Sequence, residues 1–179
     1  ANGCKNRFSH VQRVPPYLSH VPIYADRQVI DEDYPTVHFR TEVLPDMECV
    51  WEFGDGTTVK GDSITHTFDA TTRKYYDVTL KVWNADSCIT ENSIRIEVLF
   101  LPKPVNTFSP NGDGINDVFM ADYRVEITDR NGLRIYSGDN GWDGSYKGKQ
   151  APEDTYFYKL YYRTANGERM KTGYITLIR

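Results

Sequence analysis

The run Pro110-Asn111-Gly112-Asp113-Gly114-Ile115-Asn116-Asp117 sets four Asx side chains among two glycines. Oxygens at that spacing can do one of two things. They can converge on a hard cation such as calcium, which takes about six to eight oxygens from carboxylates, amides and carbonyls. They can instead accept hydrogen bonds from their own backbone amides and close a turn. Aligned on the calcium loop of an EF-hand, Asn111 and Asp113 take the first two ligand positions, but Ile115 falls on the third and Asn116 stands where glycine is required. The run is therefore no EF-hand. We expect an Asx-capped turn that pins the first strand of its domain, with calcium held by Asn111, Asp113, Asn116 and Asp117 as the competing reading.

Catalytic chemistry finds few footholds. The histidines His10, His20, His38 and His66 show no metal-ligand spacing, and no His-Glu-x-x-His, Gly-x-Ser-x-Gly or phosphate-cradling glycine loop occurs. Asp55, Asp113 and Asp143 could serve as hydrolytic carboxylates, yet each lies in a glycine-flanked turn where an Asx side chain ordinarily binds its own backbone. No enzyme activity, no small-molecule substrate and no cofactor beyond calcium are expected. The aromatic run from Tyr156 to Tyr162 raises sugar stacking. A period of two, however, places Tyr156, Tyr158, Leu160 and Tyr162 on a core side and leaves Phe157 and Tyr161 outward, the pattern of a cross-strand pair or an interface.

These residues must be held by strands. The chain of 179 residues is rich in Tyr, Thr, Val and Ile beside Gly, Pro, Asn and Asp, a composition for short strands joined by tight turns. Val37 and Phe39 alternate with polar neighbours, as do Tyr76, Val78, Leu80 and Val82, and Ile94, Ile96 and Val98. Asn131-Gly132 and Asn166-Gly167 stand between alternating runs, a strong hairpin signal. The expectation is all-β, with two consecutive antiparallel sandwiches divided at the proline-marked linker Leu101-Pro102-Lys103-Pro104. A net charge of −4 without a basic cluster argues against a nucleic-acid partner. No apolar run reaches the length of a membrane helix, and Ala1 opens without a signal peptide, so we expect a C-terminal fragment of a larger protein.

The run at Pro110–Asp117, with Phe108-Ser109 before it and Val118-Phe119 after it, resembles the opening of the type B sorting domain of the type IX secretion system, also called the gliding-motility-associated C-terminal domain. Asp129-Arg130-Asn131-Gly132, Trp142-Asp143-Gly144-Ser145-Tyr146-Lys147-Gly148, Pro152-Glu153-Asp154-Thr155-Tyr156-Phe157-Tyr158 and Gly173-Tyr174-Ile175-Thr176-Leu177-Ile178-Arg179 resemble its later blocks, in order. Two departures stand out. Asn131 takes a place where the family often has Trp, and Asp154 one where it often has Gly; both residues tolerate positive φ and keep a turn possible. Upstream, Val50-Trp51-Glu52-Phe53-Gly54-Asp55-Gly56, His66-Thr67-Phe68 and Tyr76-Asp77-Val78-Thr79-Leu80 resemble a PKD domain, an immunoglobulin-like module. The family usually has Gly before the Tyr-x-Val strand, where this chain has Lys74-Tyr75.

The resemblances imply three segments. Residues 1–21 are expected to be the end of a preceding PKD-like repeat, because Asn2-Gly3-Cys4 echoes Asp86-Ser87-Cys88, or a linker; residues 22–101 form the PKD-like sandwich, and residues 102–179 the sorting domain. In such a sandwich Cys49 and Cys88 fall at the same end, and an exported chain favours disulfides, so a Cys49–Cys88 bridge is expected, with buried free thiols as the alternative. The implied function is export of a large, adhesin-like surface protein of a Gram-negative bacterium through the type IX translocon. The implied partners are that translocon and a PorP/SprF-type outer-membrane β-barrel. Docking is expected on the last strand and its neighbouring hairpin, at Tyr161, Tyr162, Tyr174, Thr176, Ile178 and Arg179, with the last strand taken to lie at a sheet edge. The alternative function is adhesion to glycan or protein through the PKD-like half.

Overall fold

The computed structural model describes residues 21–43, 47–83 and 89–179. Among them all regular structure is β, and no helix long and apolar enough to cross a membrane is present. Residues 1–20, including Cys4, His10 and His20, lie outside the described part, as does Cys88. The chain divides into two compact units between Phe100 and Leu101.

The first unit holds β1 (Tyr24–Ala25), β2 (Val29–Ile30), β3 (Thr36–Arg40), β4 (Glu48–Glu52), β5 (Thr58–Lys60), β6 (Ser63–Thr67), β7 (Tyr75–Trp83) and β8 (Ile89–Val98). They form a three-stranded sheet, β1-β3-β6, and a five-stranded sheet, β2-β8-β7-β4-β5. The expected alternation holds: Val37 and Phe39, then Tyr76, Val78, Leu80 and Val82, are all buried. Between the sheets Phe39 packs on Trp51, Phe53 and Phe68 at ring distances of 5.6, 5.5 and 6.2 Å. The buried indole N–H of Trp51 donates to the Gly61 carbonyl at 2.8 Å, so its one polar group is satisfied. Ahead of β7, where the family usually has glycine and this chain has Lys74-Tyr75, the chain turns at Asp69, which accepts from the Thr71 amide and from the hydroxyls of Thr71 and Thr72.

Cys49 enters this core from β4 opposite Val82 and is a free thiol, its pKa pushed up by burial and, secondarily, by Asp62. That side chain is turned inward among apolar neighbours; Cys88, the partner expected for it, lies outside the described residues.

The second unit holds β9 (Thr107–Phe108), β10 (Arg124–Thr128), β11 (Arg134–Gly138), β12 (Ser145–Tyr146), β13 (Lys149–Gln150), β14 (Asp154–Thr164) and β15 (Gly167–Leu177). Its main sheet runs β11-β10-β14-β15-β9, and β12 pairs with β13. The inner face of the sheet buries Val125, Ile127, Tyr156, Tyr158, Leu160, Ile175 and Leu177. Covering it are loops fastened by a bridge in which the amides of Phe119 and Trp142 each donate to the other's carbonyl, at 2.8 and 2.9 Å. Gly141 precedes Trp142 with φ of 70°, and a Cβ there would lie 2.7 Å from the Met120 carbonyl carbon, so only glycine fits.

The hairpins differ from the expected Asn-Gly turns by one residue. Thr164 pairs with Gly167, so the turn residues are Ala165-Asn166 and the glycine, at φ of 106°, is the first residue of β15. Large-to-small changes in either core should cost about 3 to 5 kcal/mol. We predict that Trp142→Ala lowers only the second unit's denaturant transition and Trp51→Ala only the first's, read by fluorescence and circular dichroism across a urea series.

Candidate functional site

The Asx run after β9 folds into a self-capped loop. The two carboxylate oxygens of Asp117 accept from the amides of Gly112 and Gly114, at 2.7 and 2.8 Å. Asp113 accepts from the Ile115 amide at 2.8 Å and from the Asn111 side-chain amide at 2.9 Å, while Asn111 Oδ1 accepts from the Asp113 amide. Asn116, at φ of 55°, turns its carbonyl to the Ser109 amide. The loop so held follows Phe108 directly, and that residue is buried beside Leu177. Every carboxylate oxygen of Asp113 and Asp117 is thus engaged by an N–H. Among the described residues, no group of three or more His, Cys, Asp or Glu is placed to share a metal. The Gly112 amide, then that of Gly114, holds the Asp117 carboxyl below the usual range against the opposing effect of desolvation.

The expected docking residues separate. β14 and β15 pair over their whole length, with Phe157 opposite Tyr174, Thr155 opposite Thr176 and Tyr161 opposite Met170. Tyr161, Tyr174 and Thr176 share the outward face with Phe157 and Met170. The Arg124 guanidinium lies 5.1 Å from the Tyr161 ring centre. Phe157, Met170 and Tyr174 are each about half exposed, and Ile178 is 45% exposed. Over Phe157 and Tyr174, with Thr128, Lys159 and Thr172 around them, lies a shallow hollow of about 370 Å³. Tyr162 is on the other face, packed against the core, as its period requires. Arg179 is engaged within the unit: its guanidinium donates to the carbonyls of Ala151 and Gly144 at 2.6 and 3.1 Å, and its amide donates to Glu153.

One expectation is corrected. β15 is not at the edge of its sheet, because β9 lies parallel along its final residues, Thr107 beside Thr176 and Phe108 beside Leu177. The Thr176 and Ile178 amides donate to Asn106 and Phe108. The linker's continuation therefore satisfies backbone groups that were expected to await a partner.

Two departures from the family pattern resolve locally. Neither Asn131 nor Asp154 has positive φ. Asp154 begins β14 and pairs with Arg130, whose Nε lies 2.8 Å from its carboxylate, while the Asn131 amide is capped by Asp129. The carboxylates considered for hydrolysis also cap turns, Asp143 holding the Ser145 amide and hydroxyl and Asp55 those of Thr57. His66 Nε2 lies 2.8 Å from Asp55 Oδ2, and its ring stacks on Phe53 at 3.9 Å. Sequence reasoning missed this contact; the signal for it is a histidine returning beside the Gly-Asp-Gly turn.

Residues 102–177 match the CHU_C type IX secretion signal domain, and residues 20–98 match the PKD domain. The chain is a PKD domain followed by a type IX secretion signal domain. No curated protein matches it. Similar solved structures include SGBP-B of the Bacteroides ovatus mixed-linkage glucan utilization locus, in complex with a mixed-linkage heptasaccharide, at 16% identity over 89% of this chain and 47% of that one, TM-score 0.35. A 1.5-MDa bacterial ice-binding adhesin is similar at 11% identity over 88% and 63% of the two chains, TM-score 0.34. Dimeric latent PorU from Porphyromonas gingivalis is similar at 16% identity over 88% and 20%, TM-score 0.28. The chain spans less than two thirds of each of these structures. The secretion signal marks the protein for the type IX machinery and for the cell surface or extracellular space, and both families are non-catalytic.

The Asp117 caps yield a test of sign. A carboxyl held below its ordinary value of 3.8 stabilises the fold above that pH and loses the contribution as pH falls through its lowered folded value. Asp117→Asn should lower the second unit's melting temperature by a few degrees at pH 7, with the gap to wild type narrowing as pH drops below 3.8. If the loop is self-capped, wild-type melting should be the same in chelator and in millimolar calcium; a calcium-dependent rise would establish the metal reading.

Proposed function

We propose that the secretion signal domain carries an adhesin-like surface protein through the type IX translocon and then docks it onto a PorP/SprF-type outer-membrane β-barrel, without catalysis. The docking surface is the outward face of β14 and β15, at Tyr161, Tyr174, Thr176 and Ile178, joined by Phe157. The observation that supports this reading is the half-exposed pair of Phe157 and Tyr174, directly opposite each other. Aromatic side chains in water on a sheet whose other face is already covered are the kind of surface a partner buries. The PKD domain serves as a stalk segment.

Two measurements test the proposal. Deleting residues 102–179 should abolish export while the upstream protein still accumulates in the cell. A double variant, Tyr174→Lys with Ile178→Asp, touches no buried side chain and should melt like wild type. It should nevertheless lose most co-purification with the barrel partner; wild-type recovery would overturn the docking surface.

A further inference from the structure

A second surface of the secretion signal domain shares no residue with the outward stripe. Where β11 runs beside the β12–β13 hairpin and the Asp129–Leu133 turn, a cleft of about 490 Å³ opens. Its walls include Leu133, which is 53% exposed, together with the partly buried Ile135 and Tyr146. Lys147 and Lys149 flank it. The Lys147 ammonium sits 5.1 Å from the Tyr146 ring centre, so its charge is placed at the cleft. Among the described residues neither lysine has a carboxylate within ion-pair distance, whereas Arg130 on the opposite wall is taken by Asp154. Asp129 Oδ1 accepts from both the Asn131 and Leu133 amides, so among the described residues the one carboxylate in the lining without a cationic partner faces two lysines. β11 is moreover the outermost strand of its sheet, with β10 as its ladder partner on one side.

We infer that this cleft binds an extended acidic segment of a partner protein, laid as an added strand along β11. The backbone of an outer strand offers main-chain hydrogen bonds, the alternate side chains of the incoming strand meet Leu133 and Ile135, and its carboxylates meet Lys147 and Lys149. Charge favours an acidic occupant. Residues 101–179 carry a net +1 in a chain whose residues 1–100 carry −5, so the positive patch lies on the unit that the secretion machinery handles.

The test uses the full chain and a fluorescent synthetic peptide of about eight residues alternating Glu with Val and Thr. A second peptide carries Lys in place of Glu. The acidic peptide should bind saturably, weaken as salt is raised, and perturb backbone amides of Arg134–Gly138 in NMR spectra, while the lysine peptide does not bind. Lys147→Ala with Lys149→Ala, both on exposed side chains, should melt like wild type and bind at least about tenfold more weakly. Ser137→Pro, which removes one N–H from β11 without changing charge, should weaken binding at full lysine content. Absent binding, equal binding by the double-lysine variant, or perturbations confined to β14 and β15 would each overturn the inference.

Discussion

The buried indole of Trp142 closes the secretion signal domain. A five-stranded sheet must cover one apolar face, and this unit has no second sheet of similar size to lay against it. Trp142 fills that role from a loop. Its ring packs on Phe108 and Tyr156 at 5.3 and 4.9 Å, its backbone pairs reciprocally with Phe119, and its indole N–H donates to the Ser145 carbonyl at the start of β12. Loops carry unpaired amides and carbonyls, so a cover made of loops is stable only where those groups are capped within it. Asp117, Asp129 and Asp143 supply the caps, and the Arg179 guanidinium takes the carbonyls of Ala151 and Gly144.

The PKD domain solves the same problem with two sheets. Aromatic rings from β3, β4 and the segment after β6 meet between them, and His66 extends the stack from Phe53 to Phe68 while Asp55 fixes its imidazole. The outer face of its larger sheet is a polar ladder. Arg95 bonds Asp77, Lys81 bonds Glu52, and Thr79 meets Ser93. Such cross-strand pairs keep a sheet face in water at little energetic cost.

The contrast between the two outer faces bears on recognition. Among the described residues, the outer face of the PKD domain's larger sheet has one half-exposed aromatic, Tyr75, under Arg95 among its ion pairs, whereas the secretion signal domain sets Phe157, Met170 and Tyr174, each half in water, beside the Lys159–Glu126 pair. Its inner face is committed to the Trp142 cover, which leaves the outward stripe and the β11 cleft as the two surfaces proposed for recognition. Burial of apolar area would drive the proposed association on the stripe, and charge with backbone pairing the one proposed at the cleft.

Local physics was legible in the chain before folding. The period of two assigned Phe39, Val78, Leu80, Ile175 and Leu177 to cores, because side-chain direction alternates along any strand. The Asx loop at Asn111–Asp117 was legible too, since its caps span no more than five residues. Tertiary structure decided what depends on which strand lies beside which. It laid β9 along β15 and so removed the expected edge, moved Gly167 out of the turn centre by the register of two eleven-residue strands, and turned Cys49 inward. It also joined Arg130 to Asp154 and Arg179 to Gly144, contacts across 24 and 35 residues that no local pattern encodes. Periodicity carries the face of a residue, while neighbours across a sheet are chosen by the register of the whole core.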